Sequence, residues 1–160
     1  MREIDLYEPM RSWLEDYLRD KYPDCEVIAI DAHSFRLDGI LRGQNLRIPA
    51  EMNGIKIEVD VVGIVIKNGD YKLFFIEAKK GDLTIRDLGQ LWIYCQLIDP
   101  EEAFLMTPAN FGQLTNVCLT SDREDLLEYG RDGNVKKMTV VIWDVSRNAP
   151  DFLRAIPRRN

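Results

Sequence analysis

The sequence predicts a single α/β domain in which a mixed β-sheet is flanked by helices, and three observations carry this prediction. Apolar residues recur at helical spacing over residues 5 to 20. Two β-rich runs then flank Asn68-Gly69, the strongest short hairpin signal, because a type I′ turn needs positive φ at both central residues. A second helix is predicted from residue 81 to about 98, followed by a strand over 103–107. Helix, strands, helix and strand in this order favour helices packed on a mixed sheet.

The remaining segments have less regular sequence patterns, and some of them fit more than one structure. Residues 27–30 indicate a strand, whereas residues 35–50 fit either a second short strand or an irregular excursion. Residues 108–120 fit a helix or a loop, residues 121–129 a short helix, and residues 138–145 a buried strand added to the sheet. The segment after Pro150 is expected to dock as a last turn or to mediate association.

Bulk composition narrows the class of protein. A chain of 160 residues with 46% hydrophobic content fits one domain, taken as residues 1–160. The charged N-terminus and the lack of a long apolar run predict a soluble, cytoplasmic protein without a membrane partner. Three widely separated cysteines favour reduced thiols over disulfides or a zinc site. The net charge of −6 argues against a protein that coats nucleic acid through bulk electrostatics.

The hairpin places charged residues opposite one another. If Asn68 and Gly69 form the turn, Asp60 faces Glu77, and Glu58 faces Lys79. Directly opposed like charges destabilise a sheet, so the register predicts a compensating cation. Mg²⁺ prefers one or two carboxylates together with water and phosphate oxygens.

A structural alternative without a functional site is an edge hairpin with solvated charges, in which Glu58 pairs with Lys79. The apolar character of both faces of both runs, residues 59–66 and 73–76, argues against it. Strands of that kind lie in the middle of a sheet, where unpaired charge is costly. The register therefore favours one site containing Asp60, Glu77 and Lys79.

These residues carry a resemblance to a known superfamily. An acidic residue at Asp60, the triplet Glu77-Ala78-Lys79 on the next strand and Gln90 on the following helix resemble the PD-(D/E)XK, or restriction-endonuclease-like, nucleases. The proline of that signature is absent, and Val59 precedes Asp60. The resemblance implies an αβββαβ core over about residues 3–107.

The resemblance also implies a function and a set of roles. Asp60, Glu77 and the backbone carbonyl of Ala78 would bind Mg²⁺ or Mn²⁺, and Lys79 and Gln90 would complete the catalytic site. An acid from the first helix often joins such a site. Glu8 and Glu3 both remain candidates here, although Glu8 is also explained as the partner of Asp5 in a capping box.

The expected activity is that of a metal-dependent endonuclease on nucleic acid, with DNA favoured over RNA and a homodimer as an expected assembly. Lys80 and Arg86 are candidate nucleic-acid contacts, as are the tail arginines Arg154, Arg158 and Arg159. One alternative is an inactive nuclease fold that serves as a nucleic-acid-binding or scaffold protein. Another is a phosphodiesterase for RNA or a small nucleotide. The only histidine, His33, is more typical of a surface or core residue than of a catalyst.

Overall fold

A computed structural model describes residues 1–158, which form a mixed six-stranded β-sheet flanked by helices. The helices are α1 (Tyr7–Lys21), α2 (Leu37–Gly43) and α3 (Ile85–Ile98). The strands are β1 (Glu26–Asp31), β2 (Val61–Lys67), β3 (Asp70–Ala78), β4 (Glu102–Thr107), β5 (Glu128–Tyr129), β6 (Lys136–Lys137), β7 (Thr139–Asp144) and β8 (Ala149–Ile156). Short 3₁₀ turns cover Glu3–Leu6, Ala50–Met52 and Glu124–Leu127, and a π-helical segment covers Thr115–Thr120.

The main sheet has the order β1-β2-β3-β4-β7-β8. Strands β1, β2 and β3 are antiparallel neighbours, β3, β4 and β7 run parallel, and β8 returns antiparallel to β7. Strands β5 and β6 form a separate two-stranded sheet. The predicted α/β class with a mixed, helix-flanked sheet is therefore confirmed.

The register of the central hairpin is confirmed. Asn68 and Gly69 have φ angles of 53° and 81°, the positive values that a type I′ turn demands. Pairing runs from Lys67 opposite Asp70 to Val61 opposite Ile76. Both strands lie inside the sheet, between β1 and β4, so the alternative of an edge hairpin with solvated charges is wrong.

The predicted opposition of Glu58 and Lys79 does not form. Strand β2 begins at Val61, so the ladder stops before it reaches Glu58. The Glu58 carboxylate instead lies 3.4 Å from the Lys56 ammonium. Asp60 directly precedes the first paired residue of β2 and lies opposite Glu77.

Each face of the sheet is covered by a separate apolar core. Helix α1 packs on one face, against alternate residues of β2 and β3 that include Val61, Phe74 and Ile76. Helix α3 and α2 pack on the other face, against Val62, Ile64 and Phe75. The alternation of side chains along each strand makes both faces apolar, as a central sheet position requires.

Close packing of α1 on the sheet depends on Gly63 in β2. A β-carbon added at Gly63 would lie 2.6 Å from Leu18 Cδ1 and 3.0 Å from Leu14 Cδ2. Both leucines are fully buried. The glycine therefore allows the helix to approach the strand at the point where the first helix crosses the hairpin.

Several predictions from the sequence need correction. Residues 35–50 form no strand but contain the short helix α2, and the C-terminal segment forms strand β8 rather than a last turn. Helix α3 begins at Ile85 and not at residue 81, and Gln90 and Ile93 on it are exposed. The short helix predicted over 121–129 is only a 3₁₀ turn. Arg159 lies outside the described residues.

Two further findings concern side chains and helices across residues 1–158. The three cysteines are free thiols, with Cys95 and Cys118 buried and Cys25 half-buried. In the same part of the chain, no helix combines the length and the apolar character that crossing a membrane requires.

Candidate active site

Asp60 and Glu77 are acidic residues buried within the sheet, with only 9% and 5% of their surfaces exposed. Asp60 is fixed from both neighbouring strands. The backbone N–H of Ala78 donates to Asp60 Oδ2 over 2.8 Å, and the N–H of Ala32 donates to the Asp60 carbonyl over 2.8 Å. The hairpin register sets Glu77 opposite Asp60, so two buried carboxyl groups face each other.

Lys79 follows Glu77 by two residues and projects beside it. Its Nζ lies 3.7 Å from Glu77 Oε1 and 3.9 Å from Asp87 Oδ1. Its backbone N–H donates to the Met106 carbonyl over 2.9 Å, which ties the end of β3 to β4. About a quarter of the Lys79 side chain is exposed, so the ammonium can reach a ligand at this edge.

Asp87 is held in place by the start of α3. The Thr84 hydroxyl accepts from the Asp87 N–H over 3.2 Å, and the Asp87 carboxylate accepts from the Thr84 N–H over 2.9 Å. This reciprocal pair is a capping box, which satisfies N–H groups that the first helical turn leaves free. The same carboxylate that caps the helix thereby faces Lys79.

Burial and mutual repulsion control the protonation of the carboxyl pair. Burial raises the pKa of Asp60, against the opposing effects of the Ala78 N–H and the Lys79 charge. Burial, and then the negative charge of Asp60, raise the pKa of Glu77 to about 9. Without a cation, Glu77 is therefore protonated at neutral pH, while a bound cation would favour its ionised form.

The donor set fits a hard divalent cation. Glu77 Oε2 is buried and has no hydrogen-bond partner among the residues that the structure describes, and a buried polar atom of this kind is rare in folded proteins. Two carboxylates are the protein ligands that Mg²⁺ commonly uses. Residues 1–158 contain no group of three or more His, Cys, Asp or Glu side chains that could hold a metal ion, so the pair would need a backbone carbonyl, water or substrate oxygens.

The two acids proposed from the first helix occupy different surroundings. Glu3 lies in the 3₁₀ turn before α1, and its negative charge adds to the rise in the pKa of both Asp60 and Glu77. Glu8 is exposed and pairs with Arg11, whose Nε lies 2.8 Å from Glu8 Oε2. Glu3 is thus the acid that lies near the carboxyl pair. The predicted capping box of Asp5 and Glu8 is wrong, since Asp5 accepts from the Arg2 N–H.

Gln90, Arg86 and Lys80 are exposed, and within residues 1–158 no hydrogen bond or ion pair joins them to Asp60, Glu77 or Lys79. Gln90 follows Asp87 by three residues, so it lies one turn along the same side of α3. The tail residue Arg154 pairs with Asp151 on β8, three strands away from β3.

Sequence reasoning missed two residues that contact this site. Asp87 could have been found from Thr84-x-x-Asp87, which has capping-box spacing just before an apolar helix. Tyr7 has no such signal. Its hydroxyl donates to Glu3 Oε1 over 3.2 Å, and burial together with the facing charge of Asp60 raises its pKa.

Comparison with known proteins assigns neither a family nor a function to this site. No family model matches the chain, and neither a curated protein nor a solved structure matches it. Any inference about function therefore depends on the arrangement of Asp60, Glu77 and Lys79.

Proposed function

We propose that the protein is a metal-dependent nuclease that hydrolyses phosphodiester bonds in nucleic acid, acting as an endonuclease with DNA favoured over RNA. The observation that supports this proposal is the buried pair of facing carboxyl groups with an ammonium 3.7 Å from one of them. A buried carboxyl pair is unfavourable unless a proton or a cation neutralises it. A metal ion that neutralises the pair would also be available to catalyse hydrolysis of a phosphodiester.

The order of elements agrees with the proposed restriction-endonuclease-like core. Helix α1, strands β1 to β3, helix α3 and strand β4 follow one another in the expected αβββαβ order, with α2 inserted between β1 and β2. Parallel pairing of β3 with β4 across α3 is the usual result of such a crossover. Agreement of this kind supports a fold and leaves the chemistry to the residues.

The proposed roles follow from position and charge. Asp60, Glu77 and the Ala78 carbonyl would hold Mg²⁺ or Mn²⁺, and a metal bound there would polarise the phosphate and lower the pKa of a coordinated water. Lys79 would orient that water and stabilise negative charge on the phosphate oxygens. Asp87 positions Lys79 through their 3.9 Å contact. Gln90, Lys80 and Arg86 would contact the nucleic acid beside the site.

The test is a cleavage assay on labelled duplex, single-stranded and branched DNA and on RNA, with Mg²⁺, Mn²⁺ or EDTA. We expect metal-dependent cleavage that falls at least about a hundredfold in each of two variants. Glu77→Gln loses an anionic metal ligand, and Lys79→Met loses the ammonium that stabilises negative charge on the phosphate. Matched controls are Glu58→Gln and Lys67→Met, which remove the same groups from exposed or half-exposed positions on the same hairpin.

Cleavage by the unaltered protein that both site variants retain would contradict the assignment of these residues. No cleavage of any substrate, combined with measurable binding of nucleic acid, would favour an inactive scaffold that keeps the same fold.

A further inference from the structure

The end of β1 holds an aspartate and histidine pair outside the residues assigned above. Asp31 Oδ1 lies 2.6 Å from His33 Nδ1, and the same oxygen lies 3.4 Å from the His33 backbone N–H. The contact with Nδ1 orients the imidazole ring, and the contact with the backbone N–H holds the carboxylate beside it. Nδ1 is engaged by Asp31, so Nε2 is the nitrogen left to act on a ligand, and about a third of the His33 side chain is exposed.

Backbone contacts place this pair next to Asp60. Asp31 is paired with Val61 in the β1–β2 ladder, and the N–H of Ala32 donates to the Asp60 carbonyl. His33 is the next residue. The short turn that carries it is closed by a hydrogen bond of 3.0 Å from the Phe35 N–H to the Ala32 carbonyl.

Tyr7 connects His33 to the site through its side chain. The rings of Tyr7 and His33 lie 4.8 Å apart between centroids, inclined by 30°. The Tyr7 hydroxyl donates to Glu3 and faces the Asp60 carboxylate. One aromatic ring thus separates the imidazole from the carboxyl pair.

The order of strands puts His33 and Lys79 on opposite flanks of the carboxyl pair. Strand β1 lies beside β2, and β3, which leads into Lys79, lies on the other side of β2. An in-line displacement at phosphorus has its attacking and leaving oxygens on opposite sides of the phosphate. If Lys79 serves the attacking water, the group on the opposite flank is placed for the leaving oxygen.

We propose that His33 is a further catalytic residue, which donates a proton from Nε2 to the leaving oxygen of the phosphodiester, and that Asp31 is its positioning residue. The inference rests on the proposed nuclease function. Water adds to phosphorus and loses one proton to solvent, the bond from phosphorus to the leaving oxygen breaks, and that oxygen takes the proton of His33. Solvent then returns a proton to the imidazole, so a phosphodiester and water give a phosphomonoester and an alcohol.

The groups that face His33 set its electrostatic surroundings. Asp31 contributes a carboxylate from β1, and Tyr7 contributes a hydroxyl from α1, with Glu3 and Asp60 beyond it. Glu8 adds a negative charge close to Asp31.

The test compares two leaving groups. On DNA the departing alkoxide needs a proton, whereas 4-nitrophenolate leaves bis(4-nitrophenyl) phosphate without one. We expect His33→Gln to lower kcat on DNA about a hundredfold, within the usual range for general acid catalysis, and to change hydrolysis of the nitrophenyl ester less than threefold. Lys79→Met should lose both activities, and Ser34→Ala, on the same turn, should keep both.

A second measurement separates catalysis from a structural role. Free imidazole should restore DNA cleavage by His33→Ala, and the basic limb of the pH profile of kcat/KM should be absent in His33→Gln. His33 is the only histidine, so its single ring Hε1 NMR signal should shift when the metal-loaded protein binds a nucleotide.

Equal losses on both substrates, or no loss on either, would overturn the role of His33 while the nuclease assignment stands. Absence of cleavage by the unaltered protein on both substrates would instead remove the proposed function, and the inference with it.

Discussion

Glu77 is the residue whose protonation state links the stability of the protein to its chemistry. Its carboxyl group is buried opposite Asp60, and its pKa is raised to about 9. The metal-free protein therefore keeps a proton at neutral pH that the same residue releases in the unfolded chain. A cation at the pair would replace that proton.

This difference predicts that the metal-free protein loses stability as pH rises. Between the ordinary glutamate pKa and about 9, the folded state holds one more proton than the unfolded state, so the free energy of unfolding falls with pH. The slope is at most about 1.4 kcal/mol per pH unit. The contribution is complete below the ordinary pKa and is lost as pH rises toward about 9. Urea denaturation in EDTA at pH 5, 6, 7 and 8 measures it.

Glu77→Gln supplies the comparison for that slope, because glutamine cannot ionise. Its stability relative to the unaltered protein should grow from pH 5 to pH 8, whereas Glu58→Gln, at a more exposed position, should follow the unaltered protein. Identical slopes in all three proteins would show that the Glu77 carboxyl does not titrate as described.

At the scale of elements, the loop after β4 contacts the loop that leads into α3. Gly112 has a φ of 56°, and a β-carbon added there would lie 2.3 Å from the carbonyl oxygen of Leu83. That oxygen accepts from the Gln113 N–H over 3.1 Å, and the Gln113 side chain accepts from the Ile85 N–H over 2.9 Å. The close approach therefore helps to fix the start of α3, and with it Asp87.

Gly112→Ala should destabilise the protein more than Gly133→Ala. Both glycines have positive φ, but nothing lies within 4 Å of a β-carbon at Gly133. Gly133→Ala should cost about 1–2 kcal/mol for the left-handed backbone alone. Gly112→Ala should cost about 1–3 kcal/mol more, because the backbone of Leu83 must move. Thermal and urea denaturation measure both, and equal losses would show that the contact is unimportant.

The predictable part of the structure is the part set by local chemistry. The turn at Asn68 and Gly69 fixes the strand register, and a fixed register fixes which residues face each other. The meeting of Asp60 and Glu77 could therefore be derived from the sequence. Helix α2 could not, because its seven residues include Gly39 and Gly43, and so short a helix depends on tertiary packing.

The surroundings of the carboxyl pair were less predictable, because they too depend on tertiary packing. Contacts of Tyr7 with His33 and of Lys79 with Asp87 join residues on different elements. They depend on how α1 and α3 pack on the two faces of the sheet, which periodicity within one element does not specify. Gln90 was predicted from the resemblance and Arg86 as a nucleic-acid contact, whereas the residue of α3 that contacts Lys79 is Asp87.

At the scale of the whole molecule, binding of the proposed metal ion should stabilise the entire fold, because the carboxyl pair is assembled only in the folded state. Mg²⁺ or Mn²⁺ at a hundred times its Kd should add about 2.7 kcal/mol to the free energy of unfolding, equivalent to a rise in Tm of about 5–10 °C for a chain of this size. At one fixed metal concentration the shift should be larger at pH 8 than at pH 6, because the metal binds deprotonated carboxylates and its Kd falls as pH rises.

Differential scanning calorimetry with and without metal measures this shift. Asp60→Asn and Glu77→Gln should abolish it, and Glu58→Gln should retain it. A rise in Tm that persists in Asp60→Asn would place metal binding elsewhere on the molecule.

The hairpin turn has a consequence for dividing the chain. Asn68 and Gly69 are exposed, and each lies eight positions along the chain from a carboxyl residue, Asp60 or Glu77, about 27 Å of extended chain. A break between them leaves Asp60 and His33 on the first fragment and Glu77 and Lys79 on the second. Neither fragment alone contains both carboxyl groups. The proposed metal-dependent activity would therefore appear only when the two fragments assemble, so the divided protein could report the association of partners fused to them.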